Sequence, residues 1–492
     1  MRTPLPRVAA MLALTPAAFA QIPWTNFAKT THHGALSTNA SQSLNSIHWQ
    51  TPVDLHPPNS GELQVHYGSP LVTAANTVIV PVKTTTTGGF EVTAHNAATG
   101  ASLWSATSDY TTPPFSEWTP PFGAALTSER LYFAGAGGTV MYREYPDSAT
   151  GAESRLAFYG LSNYKANPTG FAQSVYVNTP ITADENGAIY FGFLVTGTPP
   201  LSGLTSGIVR IAANGQAVWV PVTTAASDST MTQVATNCAP ALSQDGTTLY
   251  VAVSDGTYGY LVALNSTTLA PMSRIWLTDP KSGWGAWISD NASASPTIGP
   301  DGDVYFGVLE DPFPENNDRG WLLHFNSTLS EIKTPGAFGW DDTASVVPAS
   351  LVASYTGTSE YLVFTKYNNY AGIGTGNGEN QIAVLDPNAT EIDPVTGVTV
   401  MNEVLTILGP TPDSPEGVKE WCINSAAVDV PGKAILANSE DGNLYRWDLT
   451  TNTFTESIAL TTGTDEAYTP TVIGVDGTVY AINDAILFAV GN

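Results

Sequence analysis

Positive charge is what this sequence has least of. Across 492 residues, 17 Lys and Arg stand against 43 Asp and Glu, a formal net charge of −26. A phosphate backbone repels such a surface and no basic stripe offsets it, so nucleic acid is not an expected partner. An anionic membrane surface is excluded on the same ground. Cysteine is almost absent: only Cys238 and Cys422 occur, with no pair at zinc-site spacing. Gly-x-Ser-x-Gly and His-Glu-x-x-His are missing, which removes two common hydrolase signatures. The seven His are scattered, and adjacent His32 and His33 cannot by themselves form a metal-binding face. No metal and no cofactor are therefore expected. Long amphipathic helices are missing too, as is any apolar run long enough to span a bilayer.

What is abundant is turn and strand material. There are 44 Gly and 35 Pro, with many Thr, Ser and Val, and 42% hydrophobic residues can fill a large core. The opening "MRTPLPRVAAMLALTPAAFA" places Arg2 and Arg7 before a short apolar run and ends in Ala18-Phe19-Ala20. That order reads as a signal peptide over residues 1–20, so residues 21–492 are expected as one secreted domain. Asn39, Asn265, Asn291, Asn326 and Asn388 head Asn-x-Ser/Thr sequons and are candidate glycan acceptors. An oxidising compartment leaves a Cys238–Cys422 disulfide open.

One unit recurs through the chain. Strands such as "NTVIVPV", "ERLYFAG", "GAIYFGF", "TTLYVAV", "GDVYFGV", "EYLVFTK", "KAILANS" and "GTVYAIN" lie about 57 residues apart. Before each stands an opening strand such as "YGSPLVT", "NCAPALS" or "SASPTIG". Asn186-Gly187, Asp245-Gly246, Asp301-Gly302 and Asp476-Gly477 mark hairpins of type I′ geometry. They lack the further acidic ligands of a calcium loop and read as turns. The expected fold is all-β: an eight-bladed propeller of four-stranded antiparallel blades, with seven blades the alternative. The last copy ends after its third strand, and residues 45–53, "NSIHWQTPV", are expected to complete it and close the ring.

Segments entering the innermost strands of a propeller lie by its central channel, where small molecules bind. Here they bring Tyr67, Trp118, Tyr176, Trp287, Trp340, Trp421 and Tyr468 from seven blades, with Trp284 beside them. Acids and a His accompany them: His66, Glu117, Asp290, Asp341, Asp342, Glu420 and Glu466. Aromatics packing between blades would give the same composition. Their recurrence beside polar groups instead predicts a small-molecule pocket. Cys238 and Cys422 fall in the same entrance segments.

"TAHNAATGASLW" (Thr93–Trp104) resembles the A-x-D-x-x-T-G-x-x-x-W repeat of the pyrroloquinoline quinone (PQQ) dehydrogenase-like propellers, with Asn96 in place of Asp. "WTNFAKTTHHGALS" followed by "IHWQTPV" also looks like the start of secreted members of that superfamily. The resemblance implies architecture more than chemistry. Its redox members carry adjacent cysteines, a calcium site and basic groups facing the quinone carboxylates, whereas here the two cysteines lie far apart in sequence and basic residues are scarce. In overall design it resembles the secreted, glycosylated hetero-Diels–Alderases of fungal tropolone–sesquiterpene pathways. That likeness implies cycloaddition of a tropolone quinone methide to a humulene-type terpene; small-molecule substrates and a monomer are expected. Trp287, Trp340 and Trp421 would then stack on substrate, and His66, Asp290 or Glu420 would assist the loss of water. A carbohydrate-binding or carbohydrate-cleaving propeller and a non-catalytic scaffold stay open beside it.

Overall fold

The computed structural model describes residues 22–57, 68–86, 88–113, 122–288, 294–463 and 469–492. The expected signal peptide lies outside them. The β-branched and aromatic runs form short strands in eight sheets, the blades of a propeller. The innermost strands are short: Leu71–Val72, Ala125–Leu126, Thr182–Ala183, Ala241–Leu242, Thr297–Ile298, Ser345–Pro348, Ala427–Asp429 and Val472–Ile473. Each blade steps outward by antiparallel pairing. Second strands such as Val304–Val308 and Tyr361–Tyr367 are buried throughout, whereas the outer strand Thr453–Ala459 alternates because one face meets water. In the fifth blade isolated bridges, Leu322–Gly336 and Phe325–Ile332, stand in for a fourth strand.

The ring closes as the sequence predicts. Ser46–Pro52 pairs antiparallel with Ile486–Gly491 and completes the eighth blade. Trp49 donates its indole N–H to the Ala97 carbonyl at 2.6 Å, which ties this strand to the first blade. Neighbouring blades are joined at the channel by hydroxyls: Thr182, Thr297 and Ser345 donate to the carbonyls of Pro240, Ala344 and Ala426 at 2.6–2.7 Å.

The hairpin expectation needs correction. Asp184 pairs with Ala188 and Gly187 N–H reaches the Asp184 carbonyl, so the loop has three residues. Only its glycine is left-handed, as are Gly246, Gly302 and Gly477 in the equivalent turns. A type I turn followed by a left-handed glycine fits this, because one positive φ is needed where type I′ needs two. The aspartates cap these turns: Asp245, Asp301 and Asp476 each accept the N–H two residues on.

Residues 24–42 do something periodicity cannot announce. This segment makes a circuit of the channel at the hairpin end of the innermost strands. Trp24 pairs with Val72, Leu126 donates to Thr25, and the Asn26 amide bonds both backbone groups of Ala183. Leu242 then donates to Thr31, Ile298 to His32, Val346 to Gly34, Val428 to Ala35, and Gln42 to Gly477. All eight blades are met in order. Trp24, Ala28, His33 and Ala35 are buried there, so the segment packs against the ring at that end. Among the described residues no helix is long and apolar enough to cross a membrane.

Candidate functional site

The opposite, entrance face gathers a cluster of buried titratable residues. Three connections build a wall there: residues 309–320 of the fifth blade, 368–380 of the sixth, and 409–420 leading into the seventh. They interlock by side-chain amides. Asn317 donates to the Asn369 side chain at 3.0 Å and accepts from Thr375 N–H at 2.8 Å, while Asn380 donates to the Val418 carbonyl at 2.9 Å.

At the foot of this wall lies Lys366, buried at the end of the strand Tyr361–Tyr367. Its ammonium pairs with Asp341 and stands 5.7 Å from the Trp340 ring. Burial works against the charge, but Asp341 and the neighbouring Cys422 and Asp342 outweigh it and hold the ammonium above the ordinary lysine range. Asp342 is fully buried, accepting from Thr365 Oγ1 at 2.8 Å and Lys366 N–H at 3.1 Å. Burial pushes its carboxyl up to about 7. Glu310, buried at the end of the fifth blade's second strand, accepts the N–H groups of Asp318 and Gly320 at 2.7 and 2.9 Å. Burial raises it as well, opposed by those donors.

Asp318 is the half-buried member of the group. Burial and then the Glu310, Asp341 and Glu420 carboxylates push it up to about 7, against the pull of Lys366. A carboxyl that keeps its proton near neutrality and stays partly open to solvent is suited to donate it. Across from it Glu420 is half-buried, Cys422 and Glu440 are buried, and the ligand atoms of these three lie within 4.8 Å of one another. Burial, then Glu440 and Glu420, push the Cys422 thiol well up.

The structure sorts the candidate residues into three groups. His66, Tyr67, Glu117, Trp118, Asp290, Asn291, Glu466 and Tyr468 lie outside the described residues. Trp340, Asp341, Asp342 and Glu420 come together around Lys366, and Trp287 is half-buried on the rim, its indole N–H 3.3 Å from Tyr258 Oη. Trp421 and Tyr176 are not wall: Trp421 is fully buried against Tyr445 and Phe454, and Tyr176 is buried in the pairing of Val175–Val177 with the second strand of the third blade. Trp284 is 60% exposed in the turn after the fourth blade. The disulfide left open by the sequence is not formed: both cysteines are free and buried. Nor are their positions equivalent, since Cys238 stands three residues before its innermost strand and Cys422 five before its own. Lys366, Glu310, Asp318 and Glu440 were missed because they close or follow second strands, not the entrance segments where aromatics drew attention.

The quinone of the redox propellers does not fit these residues. A tricarboxylate needs unpaired cations, and among the described residues the buried cations around this site are engaged, Lys366 with Asp341 and Arg319 with Asp393 at 2.8 Å. Calcium prefers an all-oxygen shell, whereas a thiol and an ammonium stand among these carboxylates. On the opposite face a cavity of about 510 Å³ lies between the circuit segment and the first three blades, lined by Ile22, Thr25, His32, Leu126 and Asp184 among others.

No family model matches this chain, and no curated protein does. Solved structures match its fold. A europium-containing methanol dehydrogenase is similar at 11% identity and a TM-score of 0.57, covering 93% of this chain and 88% of that one. The quinohemoprotein alcohol dehydrogenase of Comamonas testosteroni is similar at 12% identity and a TM-score of 0.53, covering 97% and 78%. At such identities the likeness shows the propeller fold of the PQQ-type dehydrogenases and nothing of their chemistry.

Proposed function

We propose that this chain is a secreted, glycosylated enzyme that makes and captures a quinone methide in its entrance basin. The observation that carries the reading is Asp318, a half-buried carboxyl held at about 7 beside the Lys366–Asp341 pair and Glu420. A hydroxymethyl tropolone bound under Trp340 loses water there. The Asp318 proton goes to the leaving hydroxyl, the benzylic-type C–O bond breaks, and Glu420 takes the ring hydroxyl proton. The quinone methide then adds to a humulene-type alkene, forming one C–C and one C–O bond without further proton transfer. Holding both partners in one orientation supplies the remaining acceleration, for which several kcal/mol is an ordinary order of magnitude. Substituting Trp340→Ala lowers both rate and diastereomer ratio if the ring orients substrate; an unchanged ratio contradicts the assignment.

Carbohydrate is the second reading, and Trp284 favours it. An indole 60% exposed offers a platform for a sugar face, and the basin carboxyls could serve glycosidic chemistry. Retention of the chain on an insoluble polysaccharide, lost in Trp284→Ala, supports it. The glycan part of the proposal rests on sequons such as Asn388, which is exposed on its strand. An endoglycosidase mass shift tests that part separately.

A further inference from the structure

We infer that Glu420, Cys422 and Glu440 form a binding site for a thiophilic divalent cation, zinc above all, with a coordination position left open beside Glu420. The three come from adjacent strands of one blade. Glu420 and Cys422 lead into the innermost strand Ala427–Asp429, and Glu440 follows the second strand Ala434–Asn438 that pairs with it antiparallel. That pairing brings the start of one strand beside the end of the other, so the donor atoms gather within 4.8 Å. Zn–O bonds of about 2.0–2.2 Å and Zn–S of about 2.3 Å place tetrahedral donors roughly 3.3–3.7 Å apart, within reach of small side-chain rotations.

Two further observations point to a cation and to its softness. Cys422 is 3% exposed, and no hydrogen bond from another described residue reaches its sulfur, which lies within 4.8 Å of two carboxylates. Three carboxyl groups, Glu440, Glu420 and Asp341, and one ammonium, Lys366, also act on the Cys422 thiol, so acidic groups outnumber basic ones around the sulfur. A mixed thiolate–carboxylate set suits zinc better than calcium or magnesium. Binding breaks the Cys422 S–H bond, forms a metal–sulfur bond and releases the proton to solvent, with no change of oxidation state. The inference goes beyond the proposed activity, shares only Glu420 with it, and is read without substrate.

The test is a cobalt titration of the purified full chain followed by absorption. One Co²⁺ per chain with a near-ultraviolet thiolate-to-metal band is expected, bleached by equimolar Zn²⁺. Cys422→Ser abolishes the band, Cys238→Ser keeps it, and Glu440→Gln raises the dissociation constant tenfold or more. Glu440→Gln retains thiol and volume, so it decides the matter even if Cys422→Ser fails to fold. A wild-type chain without the band, a band that survives Cys422→Ser, or one with unchanged affinity in Glu440→Gln overturns the site. Weak cation adsorption to the acidic surface produces no thiolate band.

Discussion

Asp318 and Glu310 show how one blade connection makes two carboxyls behave differently. Glu310 accepts the Asp318 and Gly320 N–H groups, which fixes the loop and sets a carboxylate beside Asp318. Asp318, half-buried, is pushed up by burial and then by the neighbouring carboxylates. If it is the acid, the rate falls as pH rises through about 7, where its proton is lost. Asp318→Asn is expected to lower kcat roughly 10²-fold or more with little change in KM, and to remove that limb of the pH–rate profile. Purely structural damage would lower the rate and leave the limb in place. At this scale the sequence was only half legible. Trp340, Asp341, Asp342 and Glu420 stand at an entrance and could be picked from it. Trp421 stands at an equivalent entrance yet packs on Tyr445, because which side an aromatic turns depends on the neighbouring strand and not on its own position.

At the scale of elements, two N-terminal pieces secure the ring by different means. The closing strand was readable, since Trp49 repeats the Trp of other outer strands and the last repeat lacked its fourth. The circuit segment was not. It contributes about one backbone contact per blade, has no period, and takes left-handed turns at Ala28, Lys29, His33 and Ala35, none a glycine. Such contacts leave no compositional mark, so "WTNFAKTTHHGALS" could be noticed as a motif without its role being evident. Trp24 is its first anchor, fully buried beside Val72. Trp24→Ala is expected to cost about 3–5 kcal/mol of unfolding free energy, measured by denaturant titration. A loss within about 0.5 kcal/mol, typical of surface changes, would mean the segment merely lies on the ring.

For the whole molecule, acidity is distributed with a sign. Glu315, Asp318, Asp342 and Glu403 are each pushed up to about 7, with burial the first cause. A carboxyl whose folded value exceeds its unfolded one makes the folded state bind more protons between the two values. Its contribution is complete below about 4 and is lost as pH rises through about 7. The net charge of −26 adds repulsion in the same direction. Exposed Asp245, held down at about 2 by Ser243 and Thr247, acts oppositely and only in stronger acid. Thermal unfolding is therefore expected at a higher Tm at pH 5 than at pH 8, and a Tm that rises from 5 to 8 contradicts the burial of these carboxyls. This acid excess was plain from composition; its concentration around Asp318 was not, since folding brings Glu310, Asp341 and Glu420 to it from different strands and loops.

The most direct measurement of the central claim is chromatography of the products formed when the chain is incubated with a hydroxymethyl tropolone and humulenol, beside buffer alone. The account predicts faster product formation with one diastereomer dominant, and loss of the acceleration with Asp318→Asn. A rate and diastereomer ratio equal to buffer would contradict it.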